Sequence, residues 1–409
     1  MTQHFFNVTP LETVLALASE TQAAGKETIG LSQGEGRILA RDVDADADLP
    51  PFARSTMDGY AVRAADTFGS SEGNPAYLTL KGSISMAETP SFDIGPGEAA
   101  YIPTGGMLPQ HANSVVMIEH TEKIDDTTIE VTKSVAPGQN VILQGEDFKK
   151  GARLISRGTR IRAQEAGLLA AFGHDPVHVY RKPIVGIIST GDEIVPVNAT
   201  PPPGSIRDIN TYTLSGLVRK YGGIPQSYGI IRDQQEQLFQ ACQRAVSETD
   251  MILISGGSSV GMRDFTIDVL SQLENSRIRV HGIPISPGKP TILAQTNGKF
   301  VWGIPGHVAS AMIVFCMVVR PFLDRLSGMV SSSLEIPHDA VLLRNIASAQ
   351  GRTDFIRVQL FMRENELYAD PILGKSGLIR TMTAAQGIIE VDMNTEGLDK
   401  GARVHVRPI

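Results

Sequence analysis

Ile184-Val185-Gly186-Ile187-Ile188-Ser189-Thr190-Gly191-Asp192-Glu193 passes from an unbroken apolar run straight into a small polar loop. A short run of this kind, ending on glycine and acids, reads as a strand buried on both faces. Working outward, the pattern predicts a helix over Thr211–Tyr221, a strand over Gln226–Ile231 and a helix over Gln234–Ser247. A strand at Met251–Ile254, a helix at Thr266–Leu273 and a strand at Arg277–Ile283 follow, then strands at Thr291–Ala294 and Phe300–Trp302 and a long apolar helix over Val308–Leu326. Strands alternating with helices predict a parallel sheet covered on both faces, which binds ligands at the carboxyl ends of its strands.

The flanks read differently. Thr9-Pro10-Leu11-Glu12 has the form of a capping box opening a helix, with Leu11, Val14, Leu15 and Ala18 on one face. From Leu49 to Gln144, short β-like pieces (Tyr77–Leu80, Ala99–Ile102, Ser114–Ile118, Thr128–Val131) are split by Gly, Pro and Asp clusters. Gln164–Ala171 reads as a helix, and the stretch from Ile336 to Ile409 is again β-like at Phe355–Leu360, Glu366–Ala369, Gly387–Val391 and Arg403–Val406. The expected fold class is α/β plus β, in several domains. These are an N-terminal and linker part (1–50 and 146–180), a β-rich insert (51–145), the α/β domain (181–328) and a C-terminal β domain (332–409).

Composition narrows the function. Across 409 residues, Lys+Arg 37 against Asp+Glu 44 gives a net charge of −7, with no basic block. That argues against nucleic acid or an anionic membrane surface as the main partner. The longest apolar run, Val308–Val319, spans 12 residues, too few for a membrane-crossing helix. The N-terminal stretch lacks the pattern of a secretion signal, and two cysteines, Cys242 and Cys316, read as buried free thiols, so the cytoplasm is expected. His174 and His178 are separated by Pro176 and do not share a helical face, so they are not read as a metal pair. No Ser/His/Asp signature, GxGxxG or GxxxxGK[ST] is present.

Three loops have the composition of an anion and cation site. In Ser189-Thr190-Gly191-Asp192-Glu193, hydroxyls and backbone N–H groups can face a phosphate while Asp192 and Glu193 can hold Mg²⁺; the bland reading is an ordinary strand-to-loop turn. Ser255-Gly256-Gly257-Ser258-Ser259-Val260-Gly261-Met262-Arg263-Asp264 sets small donors before a helix, with Asp264 either capping it or coordinating a cation. Pro287-Gly288-Lys289-Pro290 turns sharply and carries a cation suited to an oxyanion, and Gly303-Ile304-Pro305-Gly306 adds a fourth loop on the same expected edge.

Taken in order, these loops resemble the MoeA family of molybdopterin molybdenumtransferases, related to the gephyrin E domain. The resemblance is carried by Ser55–Tyr60, Pro103–Gly106, Val115–Glu119, Gly145–Asp147, Ser189–Glu193, Arg207–Asn210, Ser255–Asp264, Pro287–Pro290, Gly303–Gly306, and Arg352 with Phe355 and Arg357. It implies a homodimer whose three-layer α/β domain is similar to the molybdopterin-binding domain of MogA-like proteins, with a β-barrel-like C-terminal domain. It implies a transferase that takes adenylylated molybdopterin and molybdate, uses Mg²⁺, inserts molybdenum at the dithiolene and releases AMP. A MogA-like adenylyltransferase would supply the substrate, and molybdoenzyme apoproteins or their chaperones would receive the product.

Carried over residue by residue, the implied catalytic set is Asp58, Thr104, Asp192, Glu193, Asp264 and Lys289, with Asp192, Glu193 and Asp264 at the metal. Asp58 and Thr104 would close the site from the dimer partner. The implied cofactor-binding set is Ser189, Thr190, Gly191, Asp208, Asn210, Ser255, Gly256, Gly257, Ser258, Gly261, Pro287, Gly288, Pro305, Gly306, Arg352 and Ser376. The chain departs from the family pattern where lysines are usual, at Gly282 and Ser286. It departs again at His307 and Val308, in place of Asn-Pro, and at Gln386, in place of Asn. Two absent cations predict weaker oxyanion binding, with Lys289, Arg263 and His307 the candidates to compensate. The alternative is a paralogue with weakened catalysis that holds or delivers molybdopterin or the finished cofactor. A third reading, adenylyl transfer, rests on the likeness of Gly261–Thr266 to the RDxT loops of MogA-like adenylyltransferases.

Overall fold

The computed structural model describes residues 8–256, 260–330 and 336–409, and for 260–264 the backbone alone. The chain forms two units, one of Met1–Arg41, Arg157–Ala166 and Asp175–Ile409, the other of Asp42–Ser156 and Gly167–His174. The fold is mixed α/β, with an α/β layer structure and two β-rich regions.

The first unit is organised by a six-stranded sheet in the order Ile224–Ile231, Ile184–Thr190, Met251–Ser255, Lys299–Ile304, Ile292–Thr296, Arg277–His281. The first four strands are parallel. The last two run antiparallel to their neighbours, against the expectation of a parallel sheet throughout. The cause is local. Asn297 and Gly298 have φ of 49° and 77°, the two left-handed residues of a tight hairpin turn, and they fold Lys299–Ile304 back onto Ile292–Thr296.

Side chains alternate between the two faces of this sheet, as the strand period demands. Val185, Ile187, Leu253 and Trp302 pack on one side with Leu214, Phe315 and Phe322; Ile188, Ile252, Ile254 and Val301 pack on the other with Leu238, Cys242 and Val269. Trp302 and Phe300 both meet the Phe322 ring edge-on, with centroids 4.9 Å away. Each large side chain fully buried here contributes about 1.5–3 kcal/mol, which is why the apolar runs could be read as strands. Burial also pushes the Cys242 thiol up to about 12, so it behaves as a small apolar group.

Helices flank the sheet at Asn210–Lys220, Gln235–Glu248 and Val260–Ser271. The last begins six residues before the expected Thr266, so Gly261 lies in helix and not in the preceding loop. The long apolar helix runs from Val308 to Leu326 with a π-helical stretch at Phe315–Val319; Pro321, which has no N–H to return to the carbonyl four residues back, comes two residues after it. The expected capping box is not formed. The helix Leu11–Ala16 starts after Pro10 with no side-chain cap, and the Thr9 N–H donates instead to the Gly282 carbonyl.

In the same unit, strands Thr353–Arg363, Glu366–Pro371, His338–Leu342, Arg403–Pro408 and Gly387–Val391 pair in that order, and the last pairs back to the first, closing a small barrel. The two-residue strand Ile285–Ser286 adds to its edge, parallel to Thr353–Asp354. The second unit holds a six-stranded sheet in the order Ser114–Met117, Gly59–Val62, Glu98–Ile102, Ala76–Ser83, Thr128–Val131, Thr121–Lys123. Its core includes Val62, Leu78, Ala99, Val116 and Ile129. Among the described residues, no helix is long and apolar enough to cross a membrane.

Candidate active site

Ser189 and Thr190, Ser255, and Ile304 end three adjacent parallel strands, so their loops leave the sheet side by side. Glycine lets those loops touch. A Cβ on Gly256, whose φ is +123°, would stand 2.0 Å from the Thr190 carbonyl oxygen; one on Gly306 would lie 3.4 Å from the Gly256 Cα. Backbone therefore packs on backbone across the edge.

Beneath the glycines lies a buried polar layer. Asn210 Nδ2 donates to Ser255 Oγ at 2.6 Å and to the Gly306 carbonyl at 2.7 Å, tying two loops to the start of one helix. Ser189 Oγ donates to Asp208 Oδ1 at 3.2 Å, and the same oxygen accepts the Thr211 N–H at 3.1 Å. Ser189, Thr190, Ser255, Asp208 and Asn210 are all buried. They form the floor of the edge. Asn210 Oδ1, also buried, has no hydrogen-bond partner among the described residues.

The acids divide into two groups. Asp192 and Glu193 are exposed, while Asp208 is committed to the floor. Asp233, which the sequence reading did not single out, joins them: Thr190 Oγ1 donates to its carboxylate at 2.9 Å, and its own N–H donates to Asp192 Oδ1 at 3.3 Å. It follows the strand Ile224–Ile231 by two residues, so strand-end logic applied to that strand would have found it. Among the described residues no three His, Cys, Asp or Glu side chains form a ready-made metal cluster. Gly257 and Ser258 lie outside the described residues, as does the side chain of Asp264.

A cleft of about 660 Å³ lies in the same unit, walled by Ser286, Pro287, Gly288, Lys289, Pro305 and Ser310, and by Arg352 and Ser376 from the barrel region. The pairing of Ile285–Ser286 with Thr353–Asp354 is what brings these distant segments together. Gly288 is at φ +125°, where a Cβ would stand 2.5 Å from Val314 Cγ2. Arg352 is set by Asp354: Nε lies 3.0 Å from Oδ1 and Nη2 donates to Oδ2 at 3.3 Å, while Ser348 Oγ donates to the same Oδ2 at 2.7 Å. Arg357 is buried and donates to Thr381 Oγ1 at 2.9 Å and to the Gly374 carbonyl at 3.1 Å, steadying the loop that carries Ser376. Burial lowers its guanidinium pKa from the usual value.

In the second unit, the expected residues Asp58 and Thr104 meet directly, the Thr104 N–H donating to Asp58 Oδ1 at 2.7 Å. The Ser55 N–H donates to the Gly106 carbonyl and the Gly105 N–H to the Ser55 carbonyl, joining the two loops along their backbones. A Cβ on Gly59 would stand 1.9 Å from the Val116 carbonyl oxygen, which accounts for that glycine within the Met57-Asp58-Gly59-Tyr60 motif.

Three family models match the chain in succession: "MoeA N-terminal region (domain I and II)" over residues 9–173, "Probable molybdopterin binding domain" over 186–325, and "MoeA C-terminal region (domain IV)" over 339–409. A molybdopterin molybdenumtransferase of Bacillus subtilis is 31% identical over 406 residues, covering 97% of this chain and 93% of that protein. Two crystal structures of molybdopterin biosynthesis MoeA proteins from Pyrococcus horikoshii are also similar. One has a TM-score of 0.82 at 39% identity, covering 98% of this chain and 99% of the other. The second has a TM-score of 0.85 at 30% identity, covering 98% and 100%.

Proposed function

The chain belongs to the MoeA family, which acts in molybdenum cofactor biosynthesis, and from that premise we propose that it inserts molybdenum from molybdate into adenylylated molybdopterin with release of AMP. The observation that carries this reading is the strand-end edge, where the Gly256 and Gly306 backbones pack over a buried polar floor. A pyrophosphate needs close approach to peptide groups, and bulkier residues there would hold it off. Fixed dipoles at such an edge also stabilise charge that develops as the pyrophosphate is cleaved.

The cation side fits Mg²⁺. That ion takes one or two carboxylates and completes its shell with water and substrate phosphate, so it does not need a dedicated cluster. Asp233, bonded to the Thr190 hydroxyl, and Asp192, which accepts the Asp233 N–H, form a hard-oxygen donor set of that size. Bound there, Mg²⁺ would offset phosphate charge. Glu193 and Asp264 complete the proposed acidic set. Lys289 and Arg352 in the cleft are the proposed oxyanion contacts, with Ser376 beside them. The proposal includes the four-part domain division, a homodimer in which the Asp58–Thr104 loop pair completes the site of a second copy, and exchange with a MogA-like adenylyltransferase and molybdoenzyme apoproteins.

The test is anaerobic: purified protein with adenylylated molybdopterin and Mg²⁺, titrated with molybdate, while AMP is followed. Molybdate-dependent AMP release is expected. One observation favours the carrier reading. Ser286 walls the cleft, and Gly282 is buried at φ +99°, both at places where the resembled family carries lysine. Tight pterin binding with no AMP release at any molybdate concentration would establish that reading in place of the first.

A further inference from the structure

The cleft that holds Lys289 and Arg352 has a third basic side chain in its wall, His307. Among the described residues no carboxylate lines the cleft, and its polar side chains are one ammonium, one guanidinium, one imidazole, the Gln350 amide and the hydroxyls of Ser286, Ser310 and Ser376. The imidazole is exposed and held by a partner, its Nδ1 lying 2.8 Å from Ser376 Oγ. Ser376 is itself anchored beside it, because its carbonyl accepts the Ala309 N–H at 3.0 Å. When Nδ1 accepts the Ser376 hydroxyl hydrogen, the neutral ring carries its proton on Nε2 and can donate to an anion; the protonated ring donates from both nitrogens. In these two states the ring serves a negative ligand; in the neutral tautomer whose Nδ1–H donates to Ser376 Oγ it does not.

We propose that His307, held by Ser376, is a direct oxyanion ligand in this cleft, acting with Lys289 and Arg352. The inference rests on reading the cleft as the oxyanion site. It assigns to residue 307 a share of the binding that an ammonium elsewhere on the wall would otherwise supply, and Ser286 is the wall position where such an ammonium can be placed.

The test is calorimetric titration of the full chain with molybdate. His307→Ala should weaken binding about ten- to a hundredfold, the factor of a charge-assisted hydrogen bond. Ser376→Ala should weaken it by less, since it loosens the ring without removing it. Adding Ser286→Lys to His307→Ala should restore most of the loss. An unchanged thermal midpoint for His307→Ala would place the effect in binding and not in folding. If His307→Ala binds molybdate as tightly as the wild type while Lys289→Ala does not, the role of His307 is overturned and the cleft reading stands. If the wild type binds no molybdate, the oxyanion reading of the cleft fails, and the inference with it.

Discussion

The strand-end edge and the cleft belong to one unit and are built on opposite plans. At the edge, Ser189 bonds to Asp208 and Asn210 to Ser255 within a buried polar floor, Thr190 bonds outward to Asp233, and glycine backbones make the surface. The cleft exposes Lys289, His307 and Arg352, and draws its wall from segments around 284–290, 305–310, 349–352 and 376. An edge made of packed backbone shares its energy with the fold, so damage there should first be seen as lost stability. Exposed charges on a wall add little to stability, so damage there should be seen in binding alone.

The largest effect should come from Gly256→Ala. Its Cβ would stand 2.0 Å from a backbone oxygen that cannot move without shifting the strand Ile184–Thr190, and φ is +123°. Left-handed strain and overpacking each cost about 1–3 kcal/mol, so a loss of roughly 3 kcal/mol is expected in denaturant unfolding. A variant as stable as the wild type would show that the edge can relax, removing half of the contrast with the cleft.

Asn210→Ala should follow at about 2 kcal/mol, because it strips the Gly306 carbonyl and Ser255 Oγ of a common donor inside the protein. Adenylylated molybdopterin binding should fall with it, since the loops that Asn210 ties are the proposed pyrophosphate surface. A change in ligand binding with no change in unfolding would mean that Asn210 acts on the ligand and not as a strut.

The same contrast explains what could be read in advance. Ile184–Thr190 and Met251–Ser255 are covered on both faces, so they are apolar without interruption, and their loops follow immediately in sequence. The edge was therefore legible from local composition. Asp233 was not legible because its strand, Ile224–Ile231, is only partly buried and the loop after it, Arg232-Asp233-Gln234, has no glycine or serine to mark an anion site. The antiparallel turn was written in Asn297-Gly298 but was outweighed by the alternation of strands and helices. No spacing rule links residues 289, 352 and 376. A two-residue strand at Ile285–Ser286 joins their segments, too short to carry any periodicity. Arg352 and Ser376 were reached only through the family resemblance.

Lys289→Ala tests the other half of the contrast. The side chain is exposed, so unfolding should change by less than about 0.5 kcal/mol, as for most surface substitutions. Molybdate binding should weaken about tenfold or more, the lower bound for losing a charged hydrogen bond. Equal molybdate titrations of the two proteins would remove Lys289 from the oxyanion site.

Gly306→Ala should have the smallest effect on the fold, and it separates the two roles that glycine plays at the edge. Its Cβ would meet Gly256 Cα at 3.4 Å and Gly256 N at 3.9 Å, ordinary contact distances, with no positive φ to strain. The Gly306 carbonyl would keep its bond from Asn210. Stability should therefore stay within about 0.5 kcal/mol of the wild type. The methyl group would nevertheless sit on exposed backbone where the pyrophosphate is proposed to lie, so adenylylated molybdopterin should bind several-fold more weakly. Gly256 is then a glycine that the fold requires and Gly306 one that the ligand requires. If Gly306→Ala binds the nucleotide normally, the pyrophosphate does not approach at residue 306, and the proposed surface must shift toward Gly191 and Asp192.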